Sequence, residues 1–182
     1  EIIERQSLGE TTLKPVKVGI CGLGTVGGGT FNVLSKNAND IARRAGREII
    51  IAQVATRHPN PNVDTGDVAV TDNVMDVINN PEIDIVIELI GGYTIAKEVV
   101  LGAIANGKHV VTANKALIAV HGAEIFAAAE AKGVSVMYEA AVAGGIPIIK
   151  AIREGLAANR INWLAGIING TGNFILTEMR DK

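Results

Sequence analysis

"VKVGICGLGTVGGG", residues 16–29, sets the frame for the whole chain. Val16 to Cys21 is a short aliphatic run, as expected of a buried strand. Gly22-Leu23-Gly24-Thr25-Val26-Gly27 follows it with the spacing G-x-G-x-x-G and opens a helical stretch. Strand before and helix after is the context in which this spacing binds a dinucleotide. Gly22 permits the tight turn, Gly24 lets a pyrophosphate approach the backbone, and Gly27 lets helix and strand pack closely. The helix N-terminus then faces the phosphates. Gly22, Gly24, Thr25, Val26 and Gly27 are therefore candidate cofactor contacts. The alternative is a glycine-rich turn with no ligand.

Outward from this turn, short aliphatic runs alternate with helix-like stretches. A helix is expected over 26–44 and strands over 48–56, 83–89, 109–112 and 134–138. Between them lie a short helix at 73–80 with Asp72 as N-cap, a helix at 94–107 closed by Gly107, and another at 122–133. "RHPNPNVDTGD" (57–67), with two prolines and two asparagines, reads as a surface loop. The alternation predicts an α/β fold, a Rossmann-type doubly wound parallel sheet. After it the rhythm changes. "EAAVAGGIP" (139–147) is an apolar loop, 146–159 a helix, "INWLAGIING" (161–170) a long strand, and the last residues a helix. A domain boundary is expected within about 139–150. The division reads 1–14 as an extension, native or added, 15–145 as the dinucleotide-binding domain and 146–182 as the start of a second α+β domain.

The 182 residues suffice for one domain, or one and part of another. Hydrophobic residues make up 48% and aromatic residues 3%, so Ile, Val, Leu and Ala must build the core, as in buried parallel sheets. A net charge of −2 offers nothing to a nucleic acid or an anionic membrane. The single cysteine, Cys21, cannot form an internal disulfide, which fits a reducing compartment. No apolar run approaches the roughly 18 residues of a membrane span, and "EIIERQSLGETT" lacks the form of a signal peptide. A cytoplasmic protein is expected.

The end of the second strand bears on which dinucleotide. An NAD site usually carries Asp or Glu there to hold the ribose 2′-hydroxyl. Here stands Ala55-Thr56-Arg57-His58, without an acid. The planar fork of Arg57 suits a 2′-phosphate, favouring NADP with NAD possible. An ordinary solvated loop arginine is the other reading.

"KHVVTANKALIAVHG" (108–122) places an amide and an ammonium, Asn114-Lys115, at the end of an apolar strand. In a parallel sheet that end is the carboxyl edge, where open α/β folds gather their ligands. "IGGYT" (90–94) ends another strand at the same edge. Gly91 and Gly92 allow the backbone to approach a cofactor, and Thr94 is both a helix N-cap candidate and a candidate contact.

"GICGLGTVGGG", "IELIGG", "VVTANKALI", "YEAAVAGGIPIIKAIREGL" and "GIINGTGNFILTEM", in this order, resemble homoserine dehydrogenase from about Pro15 onward. The resemblance implies reversible NAD(P)H-dependent reduction of L-aspartate 4-semialdehyde to L-homoserine, on the route to threonine and methionine, by a homo-oligomer (dimer or higher). It implies that Lys115 lines the active site beside the nicotinamide, where an ammonium stabilises the charge that hydride transfer leaves on oxygen. Asn114 is expected to orient the site. It further implies a monovalent cation, sodium, held by Glu139 with the carbonyls of Val142, Gly144 and Ile146. Glu139 pairing with a basic side chain or water is the alternative. Family members continue past this point, into a region with a substrate-binding glutamate and a second catalytic lysine and aspartate. The chain is thus expected to be a cofactor domain with the first strand of the catalytic domain.

Two other readings stay open. A different NAD(P)-dependent aldehyde or imine reductase would share the glycine loop but has no reason to carry "YEAAVAGGIP". A cofactor-binding or sensory module without chemistry stays open for this stretch by itself, while Lys115 argues against it for the parent protein.

Overall fold

The computed structural model describes residues 13–166 and 169–181. Six parallel strands form one sheet in the order β3-β2-β1-β4-β5-β6. They are β1 Val16–Cys21, β2 Ile49–Ala55, β3 Ala69–Thr71, β4 Ile85–Glu88, β5 His109–Thr112 and β6 Val136–Met137. The order reverses between β1 and β4, which opens a crevice above their carboxyl ends. The expected doubly wound sheet is present.

Alternate residues of the inner strands β1, β2, β4 and β5 enter two cores. One gathers Cys21, Ala55, Val86 and Val110 under the helices α3 (Val74–Asn79), α4 (Thr94–Ala105) and α5 (Lys115–Lys132). The other gathers Val18, Ile20, Val54 and Ile87 with Phe31 of α1 (Thr25–Lys36). This double burial explains why the strands read as continuous aliphatic runs.

Several elements differ from expectation. The single helix expected over 26–44 is two, α1 and α2 (Ala38–Ala45), broken at Asn37, whose backbone (φ −107°, ψ 19°) leaves the helical region. The strand β3 was not foreseen. Asn73, not Asp72, caps α3, its side chain accepting the Met75 N–H at 3.1 Å. Tyr93, not Thr94, occupies the N-cap position of α4, and Thr94 is its first helical residue. Helix α5 begins at Lys115, seven residues before the expected start, because Asn114 caps it by accepting the Leu117 N–H at 3.0 Å.

Beyond β6 come a 3₁₀ turn (Glu139–Ala141), a helical turn α6 (Ile148–Lys150) that continues as a π turn over Ala151–Gly155, and α7 (Gly170–Asp181). The expected strand over 161–170 does not form. Residues 161–166 are irregular, 167 and 168 lie outside the described residues, and Gly170 belongs to α7. A strand needs a ladder partner for its N–H and C=O groups, and none of the six-stranded sheet's members lies beside this segment. Residues 1–12, most of the expected extension, also lie outside the described residues.

Candidate functional site

The glycine turn leaves β1 with Gly22 in the left-handed region (φ 99°), a conformation that favours glycine. A Cβ on Gly27 would meet the Gly22 carbonyl oxygen at 1.9 Å, so the helix can approach the strand only without a side chain there. Around Gly24, by contrast, no atom lies within 4 Å of an added Cβ. Its surroundings are open to a ligand. Helix α1 starts with no side-chain cap and no acidic residue in its first turn, so its N-terminal N–H groups and positive dipole end face the crevice.

Two open clefts meet at this turn. The first, about 960 Å³, is lined by Gly24, Thr25 and Val26, by Gly91 and Gly92 after β4, by Asn114 and Lys115, and by Ala143, Gly144 and Ile146. The second, about 740 Å³, runs over the end of β2 and includes Gly22, Gly24, Thr25, Arg57, His58 and Asn60. Both lie in the size range of cofactor sites. Asn60 ties its loop to the glycine turn, donating to the carbonyls of Leu23 (2.8 Å) and Gly24 (3.3 Å). Arg57 is thereby carried on a tethered loop beside the glycine turn.

Lys115 is exposed at the first residue of α5, just past the end of β5, and no carboxylate among the described residues pairs with it. Asn114 is nearly buried; its amide also donates to the Gly92 carbonyl, joining the turns after β4 and β5. Thr94 lines neither cleft.

Sequence reasoning passed over Glu88. It ends β4 at 0% exposure and accepts from the Ile90 N–H at 2.8 Å and from the Thr112 hydroxyl at 2.6 Å. Its register partner Cys21 is equally buried. Burial, with the neighbouring Glu88 charge adding to it, pushes the Cys21 thiol up to about 12, so it stays protonated. His109, exposed at the start of β5, accepts the Ser135 N–H through Nδ1, and His121 of α5 lies 3.8 Å from Glu124 and against the Tyr93 ring.

The family model for the homoserine dehydrogenase NAD-binding domain matches residues 22–139, and that for homoserine dehydrogenase matches residues 147–182. The chain belongs to the homoserine dehydrogenase family. It is 76% identical over 170 residues to the homoserine dehydrogenase of Pseudomonas aeruginosa, covering 93% of this chain and 39% of that protein. Against that of Methylobacillus glycogenes the identity is 55% over 172 residues, covering 93% and 42%. The crystal structure of a homoserine dehydrogenase from Thiobacillus denitrificans superposes with a TM-score of 0.85 at 65% identity, over 93% of this chain and 39% of that one. A hyperthermophilic archaeal homoserine dehydrogenase, solved in complex with NADPH, shares the fold (TM-score 0.64, 22% identity, 79% of this chain and 50% of that one). The chain thus spans about two-fifths of the length of the first two relatives.

In this member of the family, the loop expected to hold a cation has its carboxylate already engaged. Glu139 accepts the N–H groups of Ile149 (2.9 Å) and Lys150 (2.7 Å), so its partners are the backbone at α6 rather than a basic side chain. Ala143 and Gly144 both have positive φ (58° and 53°), and the Gly144 carbonyl accepts the Ile146 N–H at 2.6 Å. Glu139 and Val142 do not line the first cleft, while Gly144 and Ile146 do. Among the described residues no cluster of three His, Cys, Asp or Glu side chains is arranged for a metal, and no helix is long and apolar enough to cross a membrane.

Proposed function

We propose that this chain is the dinucleotide-binding part of an enzyme that reversibly reduces L-aspartate 4-semialdehyde to L-homoserine with NADPH, NADH serving less well. The observation that carries the reading is Lys115. It lines the same cleft as the glycine turn and the Gly91-Gly92 turn. When bound, the dinucleotide supplies the hydride. Gly22, Gly24, Thr25 and Val26 with the N-terminus of α1 would hold its pyrophosphate, and Arg57 the 2′-phosphate. Lys115 stabilises negative charge on the aldehyde oxygen and delivers the proton from Nζ. Asn114 keeps the start of α5 against the Gly92 turn, so the lysine projects from a fixed backbone.

The same reading places the enzyme in the cytoplasm, in the synthesis of threonine and methionine. Residues 15–145 form the cofactor domain and 146–182 begin the catalytic and dimerisation domain, a division supported by family models that meet between 139 and 147. Self-association is supported by exposed apolar side chains in the last segment, among them Trp163 (79% exposed), Phe174 (66%) and Met179 (74%). A monovalent cation, sodium, would be held by Glu139 and the carbonyls of Val142, Gly144 and Ile146. What supports it is the donor set, hard oxygens with one negative charge. There it would neutralise the carboxylate and stiffen the loop.

Calorimetric titration of the 182-residue chain with NADPH and NADH, alongside a hydride-transfer assay with aspartate semialdehyde, tests this. Binding of NADPH ahead of NADH without turnover is expected, because the relatives extend far beyond the chain's span. Absence of any dinucleotide binding would sink the reading.

A further inference from the structure

Glu88 has no role in the chemistry described so far, yet it is the one carboxylate among the described residues that is fully buried at the carboxyl edge of the sheet. It sits at the point where the strand order reverses, between Cys21 of β1 and Thr112 of β5 in the register. None of the ion pairs among the described residues includes it. A carboxylate deprived of water needs donors instead. It has two, and each belongs to a different turn at the cleft.

One oxygen accepts the Ile90 N–H, at the start of the Ile90-Gly91-Gly92 turn. The other accepts the Thr112 hydroxyl, whose oxygen in turn accepts the Asn114 N–H at 3.0 Å. Asn114 then bonds forward to Leu117 N–H and across to the Gly92 carbonyl, closing the circuit. Every link is a side chain satisfied on both sides, so moving one turn moves the other.

We propose that Glu88 is a positioning residue for the nicotinamide half of the dinucleotide: through its two oxygens it sets the separation between the Gly91-Gly92 turn and Lys115. Gly91, Gly92, Asn114 and Lys115 line only the first cleft; of the circuit, Ile90 alone also borders the cleft over β2 and Arg57, where the adenosine half would lie. The inference rests on the dinucleotide reading above. Only a carboxylate fits the position, because both of its oxygens receive. Glutamine keeps the shape but turns an N–H₂ group toward either the Ile90 N–H or the Thr112 hydroxyl, and one donor faces another.

The experiment titrates NADPH and 2′,5′-ADP, which lacks the nicotinamide, into the unsubstituted chain, Glu88→Gln, Thr112→Val and Thr112→Ser, with far-ultraviolet circular dichroism on each. Glu88→Gln and Thr112→Val should weaken NADPH roughly tenfold or more, the scale of one lost hydrogen bond to a charged group, while 2′,5′-ADP stays within about twofold. Thr112→Ser, which restores the hydroxyl, should recover most of what Thr112→Val loses. Unchanged NADPH affinity in both variants overturns the proposal. Equal losses for the two probes, or loss of the native spectrum in either variant, also overturns it, since Glu88 would then be holding the fold. An unsubstituted chain that binds neither probe fails at the earlier step, the dinucleotide reading itself.

Discussion

A Cβ on Gly27 would lie 1.9 Å from the carbonyl oxygen of Gly22, whereas one on Gly24 would touch nothing within 4 Å. The two glycines of one motif are therefore required for different reasons. Gly27→Ala should lower stability by about 1–3 kcal/mol or more, the cost of forcing atoms into a packed site, and shift the thermal midpoint down. Gly24→Ala should leave the midpoint alone and weaken NADPH, since its methyl keeps the pyrophosphate from hydrogen bonds worth about 1–3 kcal/mol. Melting curves and titrations on the two variants separate packing from recognition.

Lys115→Ala, made in a full-length enzyme, should reduce turnover by roughly a hundredfold or more, the usual scale for losing an acid-base or charge-stabilising group. NADPH affinity should change little, because the lysine stands on the first turn of α5 rather than in the glycine turn. Near-normal turnover would leave Lys115 with a structural part only.

Arg57 lines the cleft over β2 with the tethered Asn60 loop. Arg57→Ala should cost NADPH about 1–3 kcal/mol, typical of a charge-assisted hydrogen bond, and leave NADH nearly untouched. Equal losses for both cofactors would show that the guanidinium does not read the 2′-phosphate.

The Cys21 thiol, moved from its ordinary 9.0 to about 12, links stability to alkaline pH. Between those values the unfolded chain has released the thiol proton and the native chain has kept it. The native state then binds more protons, so stability falls as pH rises through this window and is undiminished by this group below it. Urea midpoints measured across that range should fall more steeply for the unsubstituted chain than for Cys21→Ala. Iodoacetamide should label Cys21 at pH 8 only after unfolding.

How much of this could be read from the residues follows from how each element signals itself. β1, β2, β4 and β5 are buried on both faces, so their aliphatic runs stand out. β3 is three residues, Ala69-Val70-Thr71, at the sheet edge after a polar loop, with no period to notice. "ALIAV" (116–120) is apolar throughout and reads the same on a strand or a helix; only the Asn114 cap settles it. "INWLAG" has a strand's composition, but composition supplies no partner strand. The glycine turn and Lys115 carry motifs, whereas Glu88 is a lone carboxylate closing an apolar strand. Its meaning lies in Ile90 and Thr112, and Thr112 is 24 positions away in the chain.

The placement of β1 in the middle of the sheet has a cost paid in time. Its neighbour β4 is distant, as the bond from the Lys17 N–H to the Asp84 carboxylate, 67 positions apart, makes plain. A chain elongating from its amino end therefore carries β1 with one edge unpaired until β4 emerges, and refolding must close that long loop before the central ladder can form. Stopped-flow refolding should accordingly fall in the slow range of roughly milliseconds to seconds set by non-local strand pairing. During that interval the open edge of β1 is the segment on which a chaperone, or a second nascent chain, has the most to hold.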